Sequence, residues 1–121
     1  MTAEAVGGDV LDAAALERLR ATVGDDGFVN LLAAAFLDEA PQLLAALRQG
    51  VGAGDAKTVR RTAHTLKTNA MTFGVTGLTQ AARELESAAR GSIDDRGAQL
   101  LARVEREYDR GQAALRTVAA V

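Results

Sequence analysis

Apolar residues recur at intervals of three and four along most of the chain, which is the spacing of one face of an α-helix. The pattern falls into five segments, and residues that favour helix ends lie between them. Aspartates stand at three of the starts and glycines at the ends: Asp12, Asp25 or Asp26, and Asp55 at starts; Gly24, a stop between Gly50 and Gly54, Gly74 and Gly91 at ends. The sequence therefore predicts an all-helical protein.

The second segment is the longest and contains the single proline of the chain, Pro41. Proline removes one backbone hydrogen bond and clashes with the preceding turn, so we expect a kink between Leu37 and Pro41. A break into two helices is the less favoured outcome. The inward positions predicted for the first two helices are Leu16, Leu19 and Val23, followed by Phe28, Leu31, Leu32, Ala35, Phe36, Leu43 and Leu47.

The last three segments have clear inward stripes. A fourth helix is predicted from Thr76 to about Arg90, and Ser92-Ile93-Asp94-Asp95 has the form of a capping box before the fifth. The predicted stripes are Val59, Ala63, Leu66, Ala70 and Phe73; then Leu78, Ala82, Leu85 and Ala89; then Gly97, Leu101, Val104, Tyr108, Gly111, Leu115 and Val118. Short connections favour antiparallel neighbours, so we predict an antiparallel four-helix bundle with an additional N-terminal helix. Residues 1–9 are predicted to be disordered and residues 10–121 to form the bundle domain.

Composition narrows the class of protein further. The chain has 121 residues, enough for one domain, and its low aromatic content, with no tryptophan, argues against a β-sandwich. The net charge is −2 with no continuous basic region, which disfavours nucleic-acid binding. With no cysteine and one histidine, the usual zinc ligand sets are excluded. There is no signal peptide and no apolar stretch near the roughly 20 residues that span a bilayer, so we expect a cytoplasmic monomer without membrane contacts.

The single histidine, His64, is the strongest candidate for chemistry. It lies on the third helix among three cations, with Arg60 and Arg61 before it and Lys67 after it. Residues three and four apart are neighbours on a helix, so the ring stands where an anion can be received. His64 is one residue away from the inward stripe, which places it at the rim of the bundle. A purely structural or solvated histidine is the alternative.

A carboxylate is predicted at the same height on the next helix. With Gly74 as the turn, His64 lies 10 residues before it and Glu86 lies 12 after it. Glu86 could then accept a hydrogen bond from Nδ1–H and leave Nε2 unprotonated and outward. Alternatively, Glu86 is a solvated charge or pairs with Arg83 or Arg90 on its own helix.

Taken together, these residues resemble the signature of histidine-containing phosphotransfer (HPt) domains of two-component phosphorelays. The resemblance covers roughly residues 10 to 118, and its most specific part is the histidine with Lys67 and the spacing to Gly74. The matching residues are Ala63-His64-Thr65-Leu66-Lys67, Gly74, Leu78 and Leu85-Glu86, with Phe28, Phe36-Leu37-Asp38-Glu39-Ala40-Pro41, Leu43-Leu44 and Gly54-Asp55 upstream.

The resemblance implies a helical bundle that carries a phosphoryl group between the aspartates of receiver domains. It makes His64 the phosphorylated residue through Nε2, Lys67 a contact to the phosphoryl oxygens, and Glu86 the residue that orients the imidazole. The receiver brings both the aspartate and Mg²⁺, so this chain needs no cofactor or metal of its own. The implied partners are response-regulator receiver domains and a hybrid histidine kinase.

The roles of several positions in receiver docking have two interpretations each. Thr68 stands where the family usually has glycine; its methyl group narrows the approach to the histidine, or its hydroxyl donates to the phosphoryl group. Asn69 and Val75 also replace the usual small residues. Arg60 and Arg61 are either solubilising charges or attract an acidic receiver. Met71 belongs either to an apolar docking patch or to the packing at the core edge.

Two other functional classes compete with the phosphocarrier. The first is an HPt-like module, weakened by Thr68, that binds a receiver or another partner without carrying phosphate. The second is an enzyme such as an autophosphorylating kinase or a hydrolase, which is disfavoured because the chain has no glycine-rich phosphate loop and no second cluster of nucleophile and base. We therefore predict a phosphocarrier without kinase activity of its own.

Overall fold

A computed structural model describes residues 10–119, which form five helices. Their bounds are α1 Ala13–Val23, α2 Asp26–Ala53, α3 Ala56–Thr72, α4 Thr76–Ala88 and α5 Arg96–Ala119. In the bundle each of the helices α2 to α5 packs against the next, and α5 packs back against α2. Helix α1 packs against α2 and α3. The predicted all-helical bundle with an additional N-terminal helix is confirmed. The predicted disorder of residues 1–9 lies outside the described residues.

Aspartate side chains begin the first three helices, as the sequence predicts. The carboxylate of Asp12 accepts from the amide of Ala14, and that of Asp55 accepts from the amide of Thr58. Asp25 does the same for α2 by accepting from two amides of its first turn. These bonds satisfy amides that have no partner within the helix, so each start is fixed locally by the sequence.

The start of α5 and the end of α4 differ from the prediction. Asp94, and not Ser92, caps α5: its carboxylate accepts from the amide of Arg96 at 2.9 Å. Ser92 is left outside the helix because Ile93 packs against the core and the chain turns only after it. Helix α4 ends at Ala88, two residues before the predicted Arg90.

The core follows the predicted stripes of α3 and α4 at every position, and the stripes of α2 and α5 with exceptions. Phe28, Leu31 and Ala35 are exposed, because the first turns of α2 are apolar on several sides and their spacing admits two helical phases. The phase that is buried contains Val29, Ala33, Phe36, Leu37, Ala40, Leu44 and Leu47. At the end of α5, Val118 is exposed and Ala119 is buried, since the last step of the stripe is four residues and not three.

Helix α2 runs unbroken through Pro41, so the alternative of two separate helices is excluded. Proline has no N–H, and the carbonyl of Leu37, four residues earlier, therefore lacks its helical donor. The hydroxyl of Tyr108 on α5 lies 3.5 Å from that carbonyl oxygen, close enough for a weak hydrogen bond. Tyr108 is buried, as predicted, and burial raises the pKa of its hydroxyl.

The length and composition of α2 differ from one expectation. Its most apolar stretch of 18 residues has a mean hydropathy of 1.2, so by length and composition alone the helix could cross a bilayer. The expectation that no stretch approaches this length is therefore wrong. A core helix of a soluble protein meets the same criteria, and α2 packs against α3 and α5 within the bundle.

The turn between α3 and α4 is fixed by the segment before α1. The amide of Asp12 donates to the carbonyl of Gly74 at 2.7 Å, and Leu11 forms an isolated bridge with Val75. Gly74 has a φ of +70°, and a Cβ there would lie 2.6 Å from the carbonyl oxygen of Asp12. Only glycine fits this position, and the tight turn sets the relative height of α3 and α4.

Candidate functional site

His64 lies on the outer face of α3, and its side chain is 60% exposed. The residues on either side of it in the inward stripe, Ala63 and Leu66, are completely buried. The backbone that carries the ring is therefore held by the core while the ring itself is open to solvent. This is the rim position that the helical phase predicts.

Glu86 on α4 contacts both His64 and Lys67. Its Oε2 lies 2.9 Å from Nδ1 of His64, and its Oε1 lies 2.7 Å from Nζ of Lys67. The matched heights of the two helices are confirmed by the first contact. The alternative pairing with Arg83 is not observed, since that guanidinium donates to Gln80, and no ion pair to Arg90 occurs within residues 10–119.

The charge of Glu86 determines which nitrogen of His64 carries the proton. Burial by itself raises the pKa of Glu86, but hydrogen bonds from Lys67 and His64 and their charges outweigh it, and the pKa lies below its ordinary value. Glu86 is therefore a carboxylate near neutral pH, and a carboxylate can only accept a hydrogen bond. Nδ1 of His64 must be the donor. In the neutral ring the lone pair is then on Nε2.

The ammonium of Lys67 is held beside the ring by Glu86. The Lys67 side chain is 17% exposed, so its stem is packed and its head rests on the carboxylate. Lys67 lies one turn after His64 on the same side of α3. A positive charge is thus fixed on Glu86, one helical turn from His64, in the unmodified protein.

Thr68, the residue in place of the usual glycine, makes a bond within its own helix. Its hydroxyl donates to the carbonyl of His64 at 3.0 Å. The hydroxyl is therefore occupied by the backbone and is not directed at the histidine ring. What Thr68 adds to the surface is its methyl group, on a residue that is exposed.

The remaining residues predicted for docking are all on the surface. Arg60 and Arg61 are exposed, and neither forms an ion pair in the part of the chain that the structure describes. Met71 is 48% exposed and so does not lie within the core, while a docking patch and packing at the core edge both fit this exposure. These positions surround His64 along α3, but no contact in the structure assigns them a partner.

Two features of the site carried no signal in the sequence. Asn69 donates from its side chain to Glu39 at 3.0 Å and so ties α3 to α2 beside the histidine. These two residues line an open cavity of ≈ 270 Å³ with Phe36. The second feature is Arg18 of α1, which lines a cavity together with Met71. Both features bring together residues far apart in the sequence, and neither follows from the spacing on one helix.

No group of three or more histidine, aspartate and glutamate side chains that could hold a metal ion occurs in residues 10–119. The carboxylate of Glu86 already holds two donors. The arrangement suits a different chemistry: an oriented imidazole with a free lone pair, a fixed cation and an open approach can accept and return an electrophilic group such as a phosphoryl group.

Comparison with known proteins agrees with this chemistry. The family model of the Hpt domain matches residues 31–114, more than half of the chain, and the chain belongs to that family. Membership supports a histidine phosphotransfer role in a phosphorelay. No curated protein matches the sequence significantly.

Two solved structures resemble the chain over most of its length. Histidine-containing phosphotransfer protein B (HptB) from Pseudomonas aeruginosa PAO1 is 27% identical, with a TM-score of 0.83 over 91% of this chain and 94% of that one. The Hpt domain of a sensor hybrid histidine kinase from Shewanella is 18% identical, with a TM-score of 0.71 over 87% of this chain and 92% of that one. The second likeness shows the fold alone.

Proposed function

We propose that His64 accepts a phosphoryl group from the aspartyl phosphate of one receiver domain and passes it to the aspartate of another. The observation that carries this proposal is the hydrogen bond between Nδ1 of His64 and Glu86, on a ring that is 60% exposed. The bond fixes the tautomer in which Nε2 is the nucleophile. The exposure leaves room for a second protein to reach that nitrogen.

The transfer step uses the lone pair of Nε2. It forms an N–P bond as the P–O bond to the receiver's aspartate breaks, and the aspartate leaves as a carboxylate with the bonding electrons. The imidazole keeps its proton on Nδ1 and becomes positively charged, and the carboxylate of Glu86 stabilises that charge. In the reverse direction the ring leaves as neutral imidazole. No proton has to be gained or lost in either direction.

Lys67 supplies charge stabilisation during transfer. The transition state for phosphoryl transfer is loose, with negative charge spread over the three equatorial oxygens, so a nearby cation lowers its energy. Lys67 is held on Oε1 of Glu86 at 2.7 Å, one helical turn from His64. In this proposal the incoming phosphoryl group competes with Glu86 for the ammonium, and Lys67 turns toward it while its stem remains packed.

The receiver domain completes the site. It provides the aspartate and the Mg²⁺, and this chain provides the histidine, the cation and the orienting carboxylate. We infer that the chain binds no cofactor, catalyses no reaction with ATP and acts as a monomer in the cytoplasm without nucleic-acid or membrane contacts. Its partners in this proposal are receiver domains and a hybrid histidine kinase.

A second candidate is a docking module that binds a receiver without carrying phosphate. One observation favours it: the exposed methyl group of Thr68, one turn from His64, occupies space that a glycine leaves open. The hydroxyl does not compensate by offering a hydrogen bond to the phosphoryl group, since it is bonded to the helix backbone.

Transfer of label distinguishes the candidates. A receiver domain carrying a labelled aspartyl phosphate is mixed with the wild-type chain and with His64→Gln. The phosphocarrier predicts acid-labile label on the wild type and none on the variant. Receiver binding without label on the wild type favours the docking module, and incorporation from ATP with no other protein present favours an enzyme.

A further inference from the structure

Arg60 lies on the same side of α3 as the cation of the site. Successive residues of a helix are turned by about 100°, so Lys67 stands about 60° to one side of His64 and Arg60 about 40° to that same side. Arg61 stands about 60° to the opposite side. Because Lys67 is bonded to Glu86, the shared side is the one that faces α4. Of the two arginines before the histidine, Arg60 is therefore the one on the side toward which the ring is held.

The ring of His64 extends back over the turn that carries Arg60. Side chains on an α-helix point toward its N-terminus, so each residue covers the surface of the turn before it. Lys67 follows this rule, since its ammonium reaches the same carboxylate as the ring of His64, one turn earlier. Nε2 is farther from the backbone than Nδ1, so we expect it above this turn. A phosphoryl group on Nε2 then has Arg60 on its N-terminal side and Lys67 on its C-terminal side.

The two arginines also differ in their surroundings. Hydrogen bonds from Thr58 hold the pKa of the Asp55 carboxyl below its ordinary value, and the charges of Arg61 and Lys57 lower it further. Arg61 therefore has a carboxylate nearby, at the start of α3. Arg60 is exposed, and residues four apart on a helix are neighbours, so its guanidinium is free to turn toward the histidine.

The charges of the phosphorylated site balance when Arg60 is included. A phosphoryl group carries about two negative charges at pH 7, and Glu86 adds a third. The charged imidazole of His64 and the ammonium of Lys67 supply two positive charges, and one negative charge remains. The guanidinium of Arg60 neutralises it. Arginine also has a fixed fork of donors that matches two oxygens of a phosphoryl group.

We propose that Arg60 is a second phosphoryl-binding residue of the site, which contacts the phosphoryl oxygens from the side opposite to Lys67. Arg60 forms and breaks no covalent bond. It stabilises the negative charge that spreads over the equatorial oxygens in the transition state and that stays on the phosphorylated histidine. The inference rests on the proposed function, because phosphorylation of His64 is what creates the group that Arg60 binds.

Removal of the guanidinium tests the proposal. Arg60→Gln is compared with the wild type in single-turnover transfer, over a series of concentrations of the phosphorylated receiver that labels the wild type fastest. We expect the rate at saturation to fall about tenfold, or about 1.4 kcal/mol, with the half-saturating concentration unchanged. Solvent screens this open site, so the effect is smaller than the roughly 10³–10⁵-fold of an arginine in a closed one. Arg60→Lys keeps the charge and should recover part of the rate.

Two other arginines provide the comparison. Arg106→Gln makes the same change in net charge at an exposed position of α5, which packs against α2 and α4, and should transfer at the wild-type rate. Arg61→Gln separates a contact from the general field around His64, and we expect a smaller loss than for Arg60→Gln. Circular dichroism checks that each variant is folded. Equal losses at Arg60 and Arg61, or a loss in Arg60→Gln confined to the half-saturating concentration, would overturn the proposal.

Phosphorus NMR tests the contact without a receiver present. The chain is phosphorylated at His64 by a receiver or by phosphoramidate, and the phosphorus resonance is followed as the pH falls. A bound guanidinium favours the dianion, so Arg60→Gln should move protonation of the phosphoryl group to higher pH, and Arg106→Gln should not.

The two measurements separate this inference from the proposed function. A shift in Arg60→Gln, in a chain that exchanges phosphate with no receiver, supports the contact and rejects the phosphocarrier. Transfer to the wild type, with neither a shift nor a lower rate in Arg60→Gln, does the reverse. A wild type that takes a phosphoryl group from neither kind of donor overturns both.

Discussion

Replacing Glu86 by glutamine is expected to slow phosphoryl transfer while the bundle stays folded. Glutamine has nearly the same shape, and its oxygen can still accept from Nδ1 of His64. It removes the negative charge that stabilises the charged ring, and it leaves Lys67 without the carboxylate that holds it at 2.7 Å. Glu86→Ala removes both contacts completely.

The magnitude follows from the two hydrogen bonds. A bond to a charged group contributes about 1.5–3 kcal/mol and a neutral one about 0.5–1.5 kcal/mol, so loss of the charge costs about 1 kcal/mol. Because the His64 side chain is 60% exposed, solvent screens its interaction with Glu86, and the energy lost with the charge stays at about 1 kcal/mol. Since 1.36 kcal/mol is tenfold in rate, glutamine gives roughly a fivefold loss. Alanine loses about 2 kcal/mol and roughly thirtyfold.

The assay is single-turnover transfer from a phosphorylated receiver at saturating concentration, so that binding does not limit the rate. Glu84→Gln is the matched control, because it lies on the same helix and its carboxylate pairs with Arg103, away from the histidine. We expect the control to transfer at the wild-type rate. Rates for Glu86→Gln and Glu86→Ala within twofold of wild type, in folded protein, would refute the role assigned to Glu86.

Three further predictions concern reactivity, pH and packing. Thr68→Gly should transfer faster in the same assay, because the methyl group is removed, whereas Thr68→Val, which replaces the hydroxyl with a methyl group of similar size, should match wild type. An unchanged glycine variant would show that the methyl group does not obstruct the receiver. The pKa of Glu86 is lowered in the folded state, so the stability that its charge contributes is present above about pH 4.5 and is lost as the pH falls through the lowered pKa. In urea unfolding at a series of acidic pH values, the free energy of unfolding of Glu86→Gln should therefore fall less steeply with decreasing pH than that of the wild type. Equal pH dependence of the two proteins would contradict this. Gly111→Ala places a Cβ near 2.3 Å from Cγ1 of Val75 and should lower the free energy of unfolding by about 1–3 kcal/mol, while Gly52→Ala, which meets nothing within 4 Å, should not.

Much of the site could be predicted from the sequence because α3 and α4 are joined by a tight turn. Gly74 fixes that turn, and the constant rise of a helix then places His64 opposite Glu86. The second contact of Glu86, to Lys67, did not follow from the same reasoning, since a lysine has several rotatable bonds and its head can reach more than one partner. Helical spacing determines which residues share a face, but not which of two acceptors a flexible cation selects.

The errors in the fold have a related origin. Phe28 and Leu31 were predicted to be inward because the start of α2 is apolar on several sides, and the phase of the helix is decided only by packing against other helices. The contribution of α1 to the surface near His64 also depends on tertiary packing. Arg18 lies far from Met71 in the sequence, and no periodic pattern on α1 indicates which part of the bundle it covers.

The most direct test of the phosphocarrier is to locate the phosphoryl group after transfer. The wild-type chain is labelled by a phosphorylated receiver, the modified residue is identified by mass spectrometry under alkaline conditions, and the isolated phosphoprotein is then mixed with a second receiver. The account predicts one phosphoryl group, on His64, that passes to the aspartate of the second receiver and is absent from His64→Gln. Label on another residue, or label on His64 that no receiver removes, would contradict it.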